Sequence, residues 1–177
     1  MSADFKVAPP FACIGIVGVG LIGGSIAGAI RQRGLALNVV GIGRSRDRLE
    51  AAQASGLLDV VAIDVAAAAG SELIVVCTPV DRIVADVRAA AAKSQCEAVI
   101  TDAGSVKGAI CTELAGGLPN GVTFVGAHPL AGSEKTGWED ADAELFQDRV
   151  CVLTPFADGE SASADRVESF WRAIGMR

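Results

Sequence analysis

The chain has 177 residues, of which 51% are hydrophobic and 20% are charged, and its formal net charge is −6. This length suits one compact domain, and the composition excludes a disordered or collagen-like chain. Because an acidic chain lacks the basic footprint of nucleic-acid binding, we expect no nucleic-acid partner.

Segments of strand length alternate with segments of helix length along the chain. CIGIVG (13–18) predicts a strand, and LIGGSIAGAIRQRG (21–34) predicts a helix that ends at Gly34. The other predicted strands are NVVGI, VVAI, SELIVVCTP, EAVITD, VTFVGAHP and RVCVLTP. The other predicted helices are SRDRLEAAQASG, with Ser45 as N-cap, and DRIVADVRAAAAK, SVKGAICTELAGG and SADRVESFWRAIG. A long loop at 130–142 precedes the last strand.

Apolar strands that are each followed by a helix are typical of a parallel sheet with helices on both faces. We therefore predict an α/β fold with a doubly wound, mostly parallel sheet. Residues 1–11 are expected to form an N-terminal tail, and residues 12–177 a single domain.

Residues 11–30 carry no charge, so a membrane span or a secretion signal is an alternative for this stretch. Gly20, Gly24 and Gly28 even have the spacing that lets membrane helices pack closely. A buried first strand explains the missing charge better, and we expect no membrane span. On this interpretation Gly24 lets the first helix lie close on the sheet.

The cysteines point to a reducing environment. There are five of them, an odd number, scattered and without a C-x-x-C pair, and the chain has a single histidine. We interpret them as reduced thiols of a cytoplasmic protein and expect no metal site.

Gly18, Gly20 and Gly23 form the pattern G-x-G-x-x-G between the first predicted strand and helix. The first glycine permits a tight turn, the second a close approach to pyrophosphate, and the third close packing of helix on strand. The helix opens with Leu21 and Ile22, and free N–H groups at its start would hold the anion. This context predicts a Rossmann-type NAD(P)-binding domain, whereas a glycine-rich turn without a ligand is the alternative.

The end of the second predicted strand indicates which cofactor is preferred. Gly43 stands where NAD-binding proteins place an acidic residue on the ribose, and Arg44, Ser45 and Arg46 follow it. Two guanidinium groups and a hydroxyl suit a 2′-phosphate, so we predict NADP rather than NAD. The alternative is that both arginines are only solvated side chains at the start of a helix.

Three segments follow later strands, where open parallel sheets bind ligands. Thr78 and Pro79 could form a wall beside the cofactor or a plain turn before a helix. Ser105 is placed to cap the next helix. His128 precedes a loop rich in Gly, Ser, Glu and Lys, which favours a catalytic role over that of a structural histidine.

Together, GIVGVGLIGGS, TDAGSVKG and GAHPLAGSEKTG resemble the prephenate and arogenate dehydrogenases of tyrosine biosynthesis, and the resemblance runs from Cys13 to the end of the chain. It implies an NAD(P)-dependent oxidoreductase that removes hydride from the carbon bearing the ring hydroxyl, with loss of CO2. It implies that His128 accepts the proton of that hydroxyl and that Ser105 lies beside the hydroxyl and nicotinamide. It places Ser133 and Glu134 at the entrance of the substrate site.

The chain departs from the family after Arg177. Family members continue into a helical domain that forms the dimer and supplies further substrate-binding residues. The resemblance therefore implies a complete cofactor site and an incomplete substrate site, with exposed apolar surface expected near Phe170 and Trp171. A non-catalytic NADP-binding module, a fragment, or another β-hydroxyacid-type dehydrogenase are the alternatives, although the last would need a lysine base on a later helix.

Overall fold

The structure is a computed structural model that describes residues 10–95, 97–156 and 161–177. Its strands are β1 (Phe11–Val17), β2 (Ala36–Ile42), β3 (Val60–Ala62), β4 (Leu73–Val76), β5 (Val99–Asp102), β6 (Thr123–Pro129) and β7 (Cys151–Thr154). Its α-helices are α1 (Leu21–Arg33), α2 (Arg46–Ala54), α3 (Val80–Lys93), α4 (Gly108–Leu114) and α5 (Ser161–Ala173). Short 3-10 turns occur at Val65–Ala68, Pro119–Gly121 and Trp138–Asp140.

The seven strands form one sheet in the order β3-β2-β1-β4-β5-β6-β7. All neighbours are parallel except β6 and β7, which are antiparallel. The chain moves outward from β1 to β3 and then returns to β4, so the strand order reverses between β1 and β4. This topology confirms the predicted Rossmann-type fold, and it opens a crevice at the carboxyl ends of those two strands.

Apolar side chains fill both faces of the sheet. One core contains Ile14 and Ile16 of β1 and residues of α1, α2 and α5. The other contains Ile74 of β4 and residues of α3 and α4. Because β1 and β4 lie between the two cores, neither strand contains a charged residue.

The uncharged segment at residues 11–30 is accounted for by β1, the turn after it and most of α1. Among the described residues, no helix combines the length and the apolarity that crossing a membrane requires. The expectation for Gly24 was wrong. A Cβ at Gly24 would lie 3.0 Å from Ala141 Cβ and 3.1 Å from Trp138 Cβ, so its small size admits the segment around the last 3-10 turn and not the sheet.

The exposure of the C-terminal helix α5 also differs from the prediction. Phe170 and Trp171 are each only 1% exposed, and Trp171 packs edge-on against Phe146 with ring centroids 6.1 Å apart. Exposed apolar side chains lie instead at Leu130, Val150 and Val152, on β7 and just beside it. The prediction failed because α5 covers the sheet with its aromatic face and so needs no further partner to bury it.

Candidate functional site

A cleft of about 970 Å³ lies at the carboxyl ends of β1, β2 and β4. Most of the residues that line it lie at a strand end or in the first half of the following helix. They include Val17, Gly18, Val19, Gly20, Ile42, Gly43, Arg44, Ser45, Arg48, Leu49, Cys77, Thr78, Pro79, Arg82 and Asp86. The cleft therefore occupies the topological switch point, where this fold binds dinucleotides.

The three glycines at the start of α1 have separate structural roles. Gly18 has φ +97°, and a Cβ there would lie 2.8 Å from the carbonyl carbon of Cys77. A Cβ at Gly23 would collide with the carbonyl oxygen of Gly18. At Gly20, by contrast, a Cβ would meet no atom within 4 Å. Folding thus requires the first and third glycines, whereas the second keeps open space above the backbone in the cleft.

The first turn of α1 presents unused donors beside that open space. The intrahelical bonds begin with Gly24 N donating to Gly20 O at 2.8 Å, so the N–H groups of Leu21, Ile22 and Gly23 precede them. No acidic residue lies in this turn, and Gly20 has no side chain to cap it. The helix therefore offers an uncompensated positive end to an anion.

Thr78 supplies a further polar atom at the same cleft. Its hydroxyl oxygen is buried and has no hydrogen-bond partner among the described residues. A buried hydroxyl of this kind normally has a partner. Free N–H groups, an open backbone and an unpaired hydroxyl together fit a nucleotide cofactor. Pro79, at the N-cap of α3, forms the wall next to it.

The residues after β2 only partly follow the prediction. Gly43, Arg44 and Ser45 line the cleft, and Ser45 takes the N-cap position of α2 without a side-chain cap bond. Arg46 is not among the lining residues, and it pairs with Glu50 of its own helix at 3.7 Å. Arg48 lines the cleft instead and was missed. The signal that could have found it is its place in the first turn of α2, which begins directly after the carboxyl end of β2.

Asp102 links the ends of β5 and β6. It is fully buried at the end of β5, beside Val76 of β4. Its Oδ1 accepts from Ala127 N at 3.1 Å, its Oδ2 accepts from Gly104 N at 2.9 Å, and Lys107 forms an ion pair with Oδ2. Each of these three contacts is a hydrogen bond to the carboxylate, which is how a buried charge is tolerated.

Ser105 lies in the loop that Asp102 organises, but it does not cap a helix. The side chain is exposed, α4 begins only at Gly108, and Lys107 occupies the N-cap position. The cap prediction was therefore wrong. Because Asp102 holds both Gly104 and Lys107, the chain between them stays out of the helix, and Ser105 remains available to a ligand.

His128 lies on β6 next to Ala127, whose N–H Asp102 accepts. It is half-buried and stands opposite Val152 of β7. Directly opposite residues of an antiparallel pair have their side chains on the same face of a sheet, so His128 lies on the same side as exposed Val152. The structure thus brings Ser105 and His128 to one edge of the sheet through Asp102, although neither lines the cleft.

The segment 130–142 carries the two predicted substrate residues. Ser133 and Glu134 are both exposed, and the Ser133 hydroxyl accepts from Lys135 N at 3.2 Å. Further along, Asp142 N donates to the buried Ser25 hydroxyl of α1 at 3.0 Å. The far end of the segment is therefore fixed to the cofactor helix, while Ser133 and Glu134 face water.

Two thiols near this edge are held in the neutral form. Burial raises the pKa of Cys151 to about 12, and the nearby Asp102 charge adds to the rise. Burial and then Asp102 also raise the pKa of Cys77 well above its usual range. Neither thiol is a nucleophile at neutral pH, which leaves acid–base chemistry at this edge to other groups.

A family model and several solved structures match this chain. Residues 26–177 match a family model described as prephenate dehydrogenase, nucleotide-binding domain. The chain belongs to the prephenate dehydrogenase family. Among relatives, cyclohexadienyl dehydrogenase of Zymomonas mobilis is 36% identical over 170 residues, which are 94% of this chain and 57% of that protein.

Two solved structures of the family superimpose closely. Prephenate dehydrogenase from Aquifex aeolicus, in complex with hydroxyphenyl propionate and NAD+, matches 99% of this chain at 26% identity with a TM-score of 0.87. Synechocystis arogenate dehydrogenase matches 93% at 30% identity with a TM-score of 0.82. The chain spans 60% and 58% of those two chains, respectively. These likenesses confirm the family resemblance and the nucleotide-binding domain.

Proposed function

We propose that this chain is the cofactor-binding domain of an NADP-dependent dehydrogenase that oxidatively decarboxylates prephenate or arogenate in tyrosine biosynthesis. The observation that carries the proposal is the position of Asp102. One buried carboxylate holds both the loop with Ser105 and the strand position next to His128, beside the nucleotide cleft. A cofactor site and a candidate acid–base pair are thereby fixed to neighbouring strand ends.

The cofactor would be held by groups that have no hydrogen-bond partner among the described residues. Backbone N–H groups of Leu21, Ile22 and Gly23 would bind the pyrophosphate over the open backbone of Gly20. Thr78 and Pro79 would flank the nicotinamide half. Bound NADP supplies the acceptor for the hydride.

NADP is preferred over NAD in this proposal because of the charges at the end of β2. Gly43 leaves room for a 2′-phosphate, and Arg44 and Ser45 line the cleft next to it. The NAD+ of the Aquifex aeolicus complex belongs to that protein. In this chain an acidic partner for the 2′-hydroxyl is missing from the position after β2, so the 2′-phosphate has no carboxylate there to repel it.

The substrate chemistry is assigned to His128, Ser105 and the segment after β6. His128 accepts the proton of the ring hydroxyl while hydride leaves the carbon that bears this hydroxyl. Loss of CO2 then makes the ring aromatic. A neutral imidazole suits this proton transfer because its reference pKa is about 6.5. Ser105 orients the hydroxyl, and Ser133 and Glu134 contact the substrate at the entrance.

An assay with prephenate and arogenate tests the proposal, with NADP+ and NAD+ compared on this chain and on any longer form of the protein. We expect NADPH formation that falls by about 100-fold or more in His128→Asn, as for loss of a general base. Undiminished turnover in His128→Asn would contradict the catalytic role. Equal turnover with both cofactors would contradict the argument from Gly43 and Arg44.

A second candidate is a binding module that takes NADP without catalysis. It is favoured by the contrast between the cleft, which is lined by this chain, and Ser133 and Glu134, which are exposed on its surface. Titration with NADPH, followed by calorimetry, separates the outcomes. Binding without turnover on either substrate supports the module, and no binding below millimolar cofactor contradicts both candidates.

A further inference from the structure

Arg48 of α2 lies at the nucleotide cleft, and its guanidinium group pairs with a residue that is distant in the sequence. It lines the cleft together with Arg44 and Ser45. Its Nη2 donates to Glu139 Oε2 at 2.8 Å, and both side chains are about half exposed. Glu139 belongs to the 3-10 turn Trp138–Asp140, which is 91 residues away in sequence. The pair therefore connects the cofactor cleft to the segment that carries Ser133 and Glu134.

The backbone around Glu139 is shaped to make this contact. Gly137 has φ +91°, and a Cβ there would lie 2.7 Å from Arg48 Nη2 and would collide with Glu139 Oε2. The next residue, Trp138, packs on Gly24 of the cofactor helix. The turn is thus fixed against α1 on one side and against Arg48 on the other.

Glu139 remains charged at neutral pH. A hydrogen bond from its own backbone N–H lowers the pKa of the Glu139 carboxyl, and the hydrogen bond from Arg48 lowers it further. Because both partners are solvated, their mutual attraction is modest. A more highly charged anion can therefore displace the Glu139 carboxylate from the Arg48 guanidinium group.

Two other arginines near the cleft have their carboxylate partners on their own helix. Arg46 pairs with Glu50 and does not line the cleft. Arg82 does line it, but its partner Asp86, at 3.1 Å on the same helix, lines the cleft as well. Among the arginines that line the cleft in the described part of the chain, Arg48 has its carboxylate partner on a separate segment.

We propose that Arg48 is a second cation of the 2′-phosphate site, beside Arg44, and that Glu139 competes with the phosphate for it. A phosphate monoester carries a charge of about −1.5 to −2 and three acceptor oxygens. It therefore attracts the Arg48 guanidinium group more strongly than one solvated carboxylate does. This inference rests on the proposed NADP preference. It adds a specificity-determining residue and a connection from the cofactor to the segment 130–142.

Calorimetric titration of this chain with NADP+ and NAD+ tests the inference. We expect Arg48→Gln to weaken NADP+ binding by about tenfold and NAD+ binding by less than about twofold, since only NADP+ carries the extra anion. Glu139→Gln should tighten NADP+ binding by about two- to threefold, because the competitor is lost. Arg88→Gln and Glu113→Gln serve as matched controls, since they alter an exposed pair on α3 and α4 outside the cleft.

The outcomes separate this inference from the proposed function. If the wild-type chain binds both dinucleotides equally, the NADP preference itself fails. If the wild type prefers NADP+ but Arg48→Gln keeps that preference, or Arg46→Gln reduces it more, the role of Arg48 is overturned. Weaker NADP+ binding by Glu139→Gln would overturn the competition.

A second readout follows the turn itself. Trp138 lies next to Glu139, whereas Trp171 is buried in the core. With 2′,5′-ADP as the probe, which lacks nicotinamide, we expect Trp138 fluorescence to change as Glu139 is released, and 5′-AMP to cause no change. An identical response to both probes, or a response to 2′,5′-ADP that persists in Arg48→Gln, would contradict the connection.

Discussion

Asp102 Oδ1 accepts a hydrogen bond from the backbone N–H of Ala127 at 3.1 Å, and this contact joins the ends of β5 and β6. The same carboxylate binds the Gly104 N–H and the Lys107 ammonium group. The residues that follow the two strands therefore depend on one buried charge for their relative position.

Asp102→Asn should destabilise the fold strongly, because it leaves Lys107 largely buried without a counter-charge. We expect a loss of about 3–5 kcal/mol in the free energy of unfolding, as for breaking one side of a buried pair. Urea denaturation measures it. Asp140→Asn, which breaks the exposed pair with Lys135, is the control and should change stability by less than about 1 kcal/mol. Similar small losses in both variants would contradict the structural role of Asp102.

Two glycines of the cofactor loop, Gly18 and Gly20, should differ in their effects on stability and on cofactor binding. Gly18→Ala should cost about 1–3 kcal/mol, because it strains a positive φ and drives a Cβ into the Cys77 backbone. Gly20→Ala should cost less than about 1 kcal/mol but should weaken NADP+ binding, since its methyl group enters the open part of the cleft. Thermal unfolding and calorimetry on both variants provide the comparison. A cofactor affinity unchanged in Gly20→Ala would argue against a pyrophosphate at this position.

The parts that could be predicted from the sequence depend on local patterns. The glycine spacing, the apolar strands and Gly34 with φ +62° at the end of α1 are properties of short segments, so they could be found without knowing the fold. The pair of Arg48 and Glu139 could not, because it depends on where the loop after β6 passes α2, 91 residues later in the sequence.

The start of α4 shows a similar limit. Ser105 has the right chemistry for an N-cap, but hydrogen bonds from Gly104 and Lys107 to the buried carboxylate of Asp102 keep the chain out of the helix until Gly108. A local preference of about 1 kcal/mol for a cap cannot compete with a buried charge that needs its partners. Likewise the apolar face of α5 was recognisable, but the surface that covers it was not.

Two glycines of α1 form a matched pair for testing helix packing. Gly28→Ala should stabilise the chain by about 0.5–1 kcal/mol, because alanine favours helix and its Cβ would contact Ala143 Cβ at an ordinary 3.4 Å. Gly24→Ala has the same gain in helix propensity, but its Cβ would lie 3.0 Å from Ala141 and would displace Trp138. We expect a net loss of about 1 kcal/mol or more for Gly24→Ala. Stabilisation by both substitutions would show that Trp138 does not pack on α1.

The raised pKa of Cys151 predicts how stability depends on alkaline pH. The folded chain holds this thiol proton up to about pH 12, whereas the reference thiol loses it near 9.0. Because the folded-state pKa is the higher one, the stabilisation is fully present below about pH 9 and is lost as pH rises toward 12. Between these values each unit of pH should remove up to about 1.4 kcal/mol for this group.

Urea denaturation of the wild type and of Cys151→Ala at pH 7.5 and pH 10 measures this effect. We expect the decrease in the free energy of unfolding between the two pH values to be smaller in the variant, since one titrating thiol has been removed. Cys111→Ala is the matched control, because Cys111 is a free, half-buried thiol on α4. If Cys151→Ala and the wild type lose stability equally, the Cys151 thiol is not held protonated by burial. A thiol reagent at pH 8 gives the independent check: it should modify Cys151 slowly in the folded chain and rapidly once urea unfolds it.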